Sequence, residues 1–592
     1  MENLRGRCPH YQLIVLLVAA LIYLGCIVSP PALMDDVDAV QAQIARNMLE
    51  SGDWVTARLN GVAYLEKSPM VYWLMAVSMK VFGVHDWAAR IPLALSVVVL
   101  CWLCARFAAW AFDEVTGLYA GLILASCIGL WLFTRIQIPD AMVTATITLA
   151  MWSLLRALEE QESRSAIWSG LLAASIGVGL LLKGLIAVLF PIAGGVIFLL
   201  STRQFFLRRT WQRLRPFSGL LIILVIAAPW HILATLANPP SFDFTMKSEP
   251  GKYHGFFWFY FFNEHVFRFL NMRHPRDYNT VPRYLFWLFH LLWLFPWSGY
   301  FPAAFSQTID GNTRAALARR LALCWAGFLM VFFTFSTTQE YYSMPAYPAI
   351  ALWLASGLNR ESKLIGWGSR AIAVVTASAT SVIAFLIWSV WNLPTPGDIS
   401  RALTQNPDAY TLSLGHLGDL TIASFAYLRT PLMMAGIATL IGTICALRFR
   451  GQRLALGLTV MMVLFFHAAR VALTVFDPYM GSRPLAEALN HSQPGSLILG
   501  AQYYTFSSVF FYTNRRALIL NGRVNNLEYG SYAPDAPQVF IGDEEFRNLW
   551  LSPQRFYLTL EGPELAKIEK LVGKPALHTV MESGGKYLFT NQ

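Results

Sequence analysis

Charge is scarce in this chain: Asp, Glu, Lys and Arg supply only 14% of its 592 residues, against 56% hydrophobic residues and a mean hydropathy of +0.46. Soluble domains carry about 25% charged residues, so a soluble enzyme is excluded and a polytopic α-helical membrane protein is expected. Cysteine is sparse as well. Cys8, Cys26, Cys101, Cys104, Cys127, Cys324 and Cys445 lie near the amino terminus or in apolar runs, and none follows residue 475, which excludes a disulfide framework. Cys101 and Cys104 form a CxxC inside a hydrophobic span, where they read as two small apolar residues. Internal repeats and low-complexity segments are lacking. The net charge of +10 would suggest nucleic acid in a soluble chain; here the arginines sit in short loops between apolar runs and set orientation, so no nucleic-acid partner follows.

At about 20 apolar residues per crossing, the candidate spans are 12–34, 88–110, 116–134, 140–157, 168–182, 185–201, 217–236, 284–305, 321–337, 342–358, 371–391, 430–447 and 454–475, about thirteen in all. The first follows Arg5 and Arg7 without a small-residue cleavage site and reads as a retained signal anchor. Basic clusters occupy alternate loops: Arg203, Arg208, Arg209, Arg213 and Arg215; Arg314, Arg319 and Arg320; Arg360, Lys363 and Arg370; Arg448, Arg450 and Arg453. The positive-inside rule puts these and the amino terminus in the cytoplasm, and an odd number of spans puts 476–592 outside. As one helix, 168–201 would extend about 50 Å against about 30 Å of hydrocarbon, so a break is expected at Lys183-Gly184. The alternative keeps that run whole and makes 69–83 a crossing. Because 69–83 is short, carries Lys80 and holds Tyr72 and Trp73 near one end, an interfacial helix is expected there, with Arg135 and Asp140 on the outer face. The organisation expected is a transmembrane catalytic region, 1–475, with outer loops 35–87, 237–283 and 392–429, and an outer α/β domain, 476–592, in which SLILGA, RALILN, QVFIG and RFYLTL read as strands and PLAEALN and PELAKIEKLV as helices.

Polar chemistry concentrates where the chain leaves the bilayer. Asp35, Asp36 and Asp38 precede a helical stretch, and Glu66-Lys67 follows about thirty residues on. A sugar leaving a lipid phosphate needs a carboxylate to orient or deprotonate the acceptor and cations to hold the departing phosphate. Asp36 and Asp38 are the catalytic candidates, with Asp35 a helix cap; Lys67, Arg58, Lys183 and Arg268 are the outer cations, each of which alone could be an interfacial anchor. Glu66 and His265 are candidate ligands for a divalent metal such as zinc or manganese, set against a structural hydrogen bond. Tyr341 and Tyr342, after Gln339-Glu340, are candidates for sugar or phosphate contact, set against an aromatic-belt role.

These residues also carry a resemblance. The stretch IARNMLESGDWVTARLNGVAYLEKSPMVYWLMAVSMKVFG (44–83), Lys183-Gly184 after Leu181-Leu182, NEHVFRFL (263–270) and, in the tail, RVNNLEYGS and EEFRNLW resemble in order the signature blocks of the GT-C glycosyltransferases related to bacterial aminoarabinose transferases and protein O-mannosyltransferases. The resemblance implies a membrane enzyme that takes a sugar from a polyprenyl-phosphate carrier at the periplasmic face, with inversion and without a nucleotide. It implies that Lys67 binds the carrier phosphate. Relatives read Asp-Glu-x-Arg-Tyr before the IAR block, where this chain reads DDVDAVQ: ungapped, their Asp falls on Val37 and their Glu on Asp38. Either a one-residue shift gives Asp36 the catalytic place, the favoured reading, or Asp38 inherits it. Val40 and Gln41 replace the Arg and Tyr, and Ser68 stands where Pro is usual.

The expected function is therefore sugar transfer from a polyprenyl-phosphate donor to a lipid A-like lipid or another periplasmic acceptor, by an enzyme of the bacterial inner membrane; its partners are that donor, a lipid, protein or glycan acceptor, and membrane lipids. A protein O-mannosyltransferase-like activity is the alternative. A transporter or lipid flippase would show paired halves, broken helices and midplane charges, whereas this chain concentrates acids in outer loops.

Overall fold

The computed structural model describes residues 8–28, 31–275, 280–405 and 412–592; Arg5 and Arg7 lie outside them. Among the described residues eight helices are long and apolar enough to cross a membrane: Asp86–Ala111, Asp140–Leu158, Ser165–Lys183, Arg208–Ala237, Arg314–Phe335, Lys363–Val390, Arg429–Arg448 and Gly451–Met480. Shorter apolar helices cover Tyr11–Ile27, Met70–Phe82, Glu114–Ser126 and Ile186–Ser201. The chain is a multi-pass membrane protein.

Three expected spans are interrupted rather than continuous. Span 116–134 divides at Cys127 into Glu114–Ser126 and Ile128–Phe133. Span 284–305 falls into Arg283–Leu288, His290–Trp293, Trp297–Tyr300 and Phe301–Phe305, and 342–358 opens with a 3₁₀ turn, Glu340–Ala346, before Tyr347–Leu358. Pro296, Pro302 and Pro345 withhold the N–H groups a continuous helix needs. Two of the breaks face each other: Ile128 N–H donates to the Phe295 carbonyl at 3.4 Å, and Trp297 Nε1 to Ser126 Oγ at 3.0 Å. Irregular backbone at membrane depth is tolerated when protein covers it in this way.

The run 168–201 does break where its length requires. Helix Ser165–Lys183 ends at Gly184, whose φ of 71° and ψ of −146° favour glycine, and a Cβ there would strike His265 and Tyr260. Helix Met70–Phe82 has 13 residues, about 20 Å, too short to span alone. It buries Tyr72, Met75 and Met79 and exposes Leu74, Val77, Val81 and Phe82.

Helix Asp140–Leu158 sets the two ends of the body apart. Its 19 residues span about 28 Å, with Asp140 paired to Lys183 at one end and basic loops gathered at the other, where Arg213 donates to the carbonyls of Ala157, Glu159 and Glu162 and Arg314 pairs with Glu159. At the Asp140 end lie helix Val37–Ser51, the hairpin of β1 (Arg58–Leu59) and β2 (Val62–Ala63), and the α/β domain.

That domain holds a six-stranded sheet of β3 (Ser496–Leu499), β4 (Ala517–Leu520), β5 (Phe540–Ile541), β6 (Phe556–Glu561), β7 (His578–Ser583) and β8 (Lys586–Thr590), in the order β5-β4-β3-β6-β8-β7. The first four neighbours are parallel and the last two pairings antiparallel. Alternation divides each strand between faces: Ile498, Leu520, Leu558 and Phe589 enter the domain's own core, while Leu497, Leu499, Ile519 and Leu588 join the core continuous with the helical body.

Candidate active site

Asp36 is exposed at the start of helix Val37–Ser51 with φ 71° and ψ −144°, a region normally left to glycine and costing about 1–3 kcal/mol. Its surroundings impose that conformation. Asp36 N–H donates to the Tyr504 carbonyl at 2.8 Å, and its own carbonyl accepts from Ser507 Oγ at 3.1 Å. On one side Asp35 is buried against the α/β domain, its carboxylate accepting from Lys586 Nζ (2.6 Å), Ser482 Oγ (2.5 Å) and Ser508 N–H (2.8 Å). On the other, Asp38 is 1% exposed and accepts from Arg90 Nη2 (3.0 Å), Met34 N–H (3.2 Å) and Gln137 N–H (3.1 Å). Two buried carboxylates thus pin the turn that presents the third.

Cations gather nearby. Tyr504 Oη lies 3.5 Å from Tyr64 Oη, and Tyr64 donates to Glu66 Oε2 at 3.0 Å. Glu66 pairs with Lys67 and lies 3.7 Å from Arg268 and 3.9 Å from Arg273. Glu264 pairs with both arginines, with 2.9 Å to Arg268 Nη1. Arg268 Nη2 donates to Tyr342 Oη at 3.0 Å, and Lys183, held by Asp140, sits over the rings of Tyr341 and Tyr342, 5.4 and 5.1 Å from their centroids. Lys67, Glu66, Lys183, Arg268, Tyr341 and Tyr342 are therefore brought together. Burial acts to raise the Glu66 pKa, but Lys67, Arg273 and Arg268 outweigh it and hold the carboxyl at about 2; at Glu264 burial dominates and the pKa rises. Lys67 also lines a small cavity with Tyr64, Met48, Trp230 and Tyr72, whose buried hydroxyl has no hydrogen-bond partner among the described residues.

Four expectations need correction. Asp38 is not presented to a substrate: burial raises its pKa, and both oxygens are engaged in holding the turn. Asp35 is a buried interdomain anchor rather than a solvated cap. Arg58 belongs to the β1–β2 hairpin and points to the α/β domain, 3.2 Å from Asp535, outside the cation cluster. Glu66 and His265 do not form a metal site. His265 Nδ1 donates to the Tyr260 carbonyl at 2.6 Å and Nε2 accepts Leu185 N–H at 3.2 Å, leaving no ring lone pair for a metal, and no group of three or more His, Cys, Asp or Glu among the described residues could hold one. The histidine instead fastens the π-helical stretch Trp258–Phe267 to the Lys183-Gly184 break.

Burial lowers the His265 pKa to about 4, so the folded state keeps this ring neutral while the unfolded chain protonates it near pH 6.5. Stability from this group is complete above pH 6.5 and is lost as pH falls towards 4. Between pH 7 and 5 the wild type is expected to lose about 2 kcal/mol through it. Denaturation in detergent at the two pH values, compared with His265→Gln, checks this; an equal loss in the variant would refute it.

Sequence reasoning missed Arg273, Asp140, Tyr504, Asn526 and Arg90. Arg273 is buried between Glu264, the Pro275 carbonyl and Asn526 of the α/β domain. Only its place in NEHVFRFLNMRHP, nine residues after Glu264, could have flagged it.

Comparison with known proteins bears on the fold and on what the sequence resembles. The family model described as dolichyl-phosphate-mannose-protein mannosyltransferase matches residues 66–233. An undecaprenyl phosphate-alpha-4-amino-4-deoxy-L-arabinose arabinosyl transferase of Erwinia tasmaniensis is 26% identical over 562 residues, 92% of each chain, and its namesake in Pseudomonas aeruginosa is 29% identical over 338 residues, 55% of each. The crystal structure of ArnT from Cupriavidus metallidurans bound to undecaprenyl phosphate superposes with a TM-score of 0.76 at 21% identity, covering 99% of both chains. With its helical body and its appended α/β domain, the chain has the GT-C membrane fold, and in sequence it is similar to the aminoarabinose transferases and, over residues 66–233, to the protein mannosyltransferases.

Proposed function

We propose that the chain is an inverting glycosyltransferase of the bacterial inner membrane, moving a sugar from a polyprenyl-phosphate donor to a lipid A-like acceptor at the periplasmic face. The observation that carries the reading is the convergence of Lys67, Arg268, Lys183 and Tyr342 at one end of an apolar helical body, joined through Tyr64 and Tyr504 to the turn that presents Asp36. The basic loops at the opposite end support a cytoplasmic assignment there and a periplasmic site, with the α/β domain on the site's side.

In this reading the carrier phosphate lies against Lys67, Arg268 and Lys183, and Tyr342 adds a hydroxyl. Negative charge on that phosphate grows as the glycosidic bond breaks, so cations placed for the leaving group stabilise the transition state more than the bound donor. The acceptor enters from the Asp36 side and attacks the anomeric carbon opposite the phosphate, which inverts it. A hydroxyl acceptor gives its proton to Asp36; a phosphate acceptor is oriented by it. No step is routed through a metal, since His265 has no free nitrogen.

Membranes containing the protein, incubated with polyprenyl-phosphate sugars labelled in the sugar, are expected to transfer label to lipid. Label in neither lipid, protein nor glycan would sink the proposal. The mannosyltransferase family match favours a second reading, protein O-glycosylation, and label in serine or threonine of protein would select it.

A further inference from the structure

Lys67, Lys183 and Arg268 reach the cluster from three separate segments, and one uncharged hydroxyl joins all three. Ser68 is 3% exposed and directly follows Lys67. Its Oγ donates to the Leu180 carbonyl at 3.0 Å, in the last turn of helix Ser165–Lys183, where that carbonyl also accepts the Gly184 N–H at 3.0 Å. The same Oγ lies 2.5 Å from Tyr260 Oη. A serine hydroxyl has a single proton; with that proton directed at Leu180, the second bond is donated by Tyr260. Tyr260 belongs to the π-helical stretch Trp258–Phe267 that leads into Arg268, and it is 1% exposed, its ring against Phe256 and Trp230. His265, from the same stretch, takes the Leu185 N–H beyond the break and closes the seam.

We propose that Ser68, with Tyr260, is a positioning residue: its hydroxyl is the node that sets the spacing of Lys67, Lys183 and Arg268 around one phosphate. Like charges brought together repel one another. Glu66, Asp140 and Glu264 each pair with one of the three, but long flexible side chains keep such pairs through small shifts of the backbone. Hydrogen bonds between buried neutral groups resist those shifts, because an unpaired hydroxyl at this depth is costly. The consequence for rate rests on the transferase reading above; the consequence for phosphate binding does not.

The test uses the full-length protein in detergent and farnesyl phosphate, a monoester with the charge that a carrier phosphate has once the sugar has left. By calorimetry Ser68→Ala is expected to bind it about tenfold more weakly than the wild type, and Tyr260→Phe, which keeps the bond to Leu180, about threefold more weakly. In transfer, Ser68→Ala is expected to lower kcat per folded molecule about tenfold with the donor KM within about twofold, because the donor's diester carries less charge than the departing monoester. The double variant is expected to match Ser68→Ala, since Tyr260 has already lost its acceptor; losses that multiply would make the two hydroxyls independent and overturn the node. Melting gives the folded fraction of each variant. A lower melt with binding and kcat per folded molecule unchanged makes Ser68 a structural residue only and overturns the proposal, as does a rise confined to the donor KM. Should Ser68→Ala not fold, unchanged binding by Tyr260→Phe is the overturning result. Failure of the wild type to bind farnesyl phosphate overturns the node together with the phosphate site. Absence of transfer by the wild type defeats the transferase reading, whereas the farnesyl phosphate result stands or falls by itself.

Discussion

Asp36→Asn is expected to leave a folded protein whose sugar transfer falls by about a thousandfold, the effect of removing a positioned base. The side chain is nearly isosteric and no part of the backbone need change, so size-exclusion profile and melting should match the wild type. Asp36→Gly is the sharper variant. It is expected to abolish transfer and yet gain about 1 kcal/mol of stability, because glycine accepts φ 71° without strain. A variant more stable and inactive would identify the strain as serving presentation of the carboxylate. Asp38→Asn should behave in the opposite way. It leaves the buried Arg90 guanidinium without its counter-charge and loosens the turn, at a cost of about 3–5 kcal/mol, so activity and stability should fall together. Full activity in Asp36→Asn with a normal melt would remove Asp36 from the mechanism.

The legible part of this site was carried by residue types out of place. Lys183 stood between apolar flanks and Glu66-Lys67 in an outer loop, and both reach the cluster. The break at Lys183-Gly184 followed from length arithmetic. Arg58 looked equivalent to Lys67 in sequence, but a two-residue hairpin turn directs it towards Asp535 instead. Asp140 opens a crossing helix and read simply as its start. Tyr504 and Asn526 come from the α/β domain, more than 200 residues beyond Arg273, and their meeting is tertiary, with no periodicity to announce it. The interrupted spans were hidden for a related reason: hydropathy does not distinguish one helix from several pieces whose free N–H groups are satisfied by neighbouring segments. Asp35 and Asp38 differ from Asp36 only in what the fold places against them, Lys586 from β8 and Arg90 from the second crossing.

Arg268→Gln is expected to lower kcat by about 10²–10³-fold with a smaller rise in donor KM, the signature of a group that binds the leaving phosphate most tightly in the transition state. The geometry separates it from Arg273, although both touch Glu66 and Glu264. The Arg273 side chain is 0% exposed, enclosed by Glu264, the Pro275 carbonyl and Asn526, and reaches no open space; that of Arg268 is 18% exposed and extends to Tyr342, beside Lys67 and Lys183. Arg268→Gln leaves Glu264 still paired with Arg273, so folding should survive. Arg273→Gln instead leaves two buried carboxylates short of a partner and detaches Asn526, an expected loss of about 3–5 kcal/mol with activity following the folded fraction. Tyr342→Phe should lie between them, losing about tenfold in kcat for one hydroxyl to the phosphate or to Arg268, without change in the melt. Steady-state rates at varied donor, with melting of each variant in the same detergent, separate these outcomes. A rise in donor KM at unchanged kcat for Arg268→Gln would make this arginine a ground-state anchor and move the leaving-group role to Lys67 and Lys183, the cations still in reach of the phosphate.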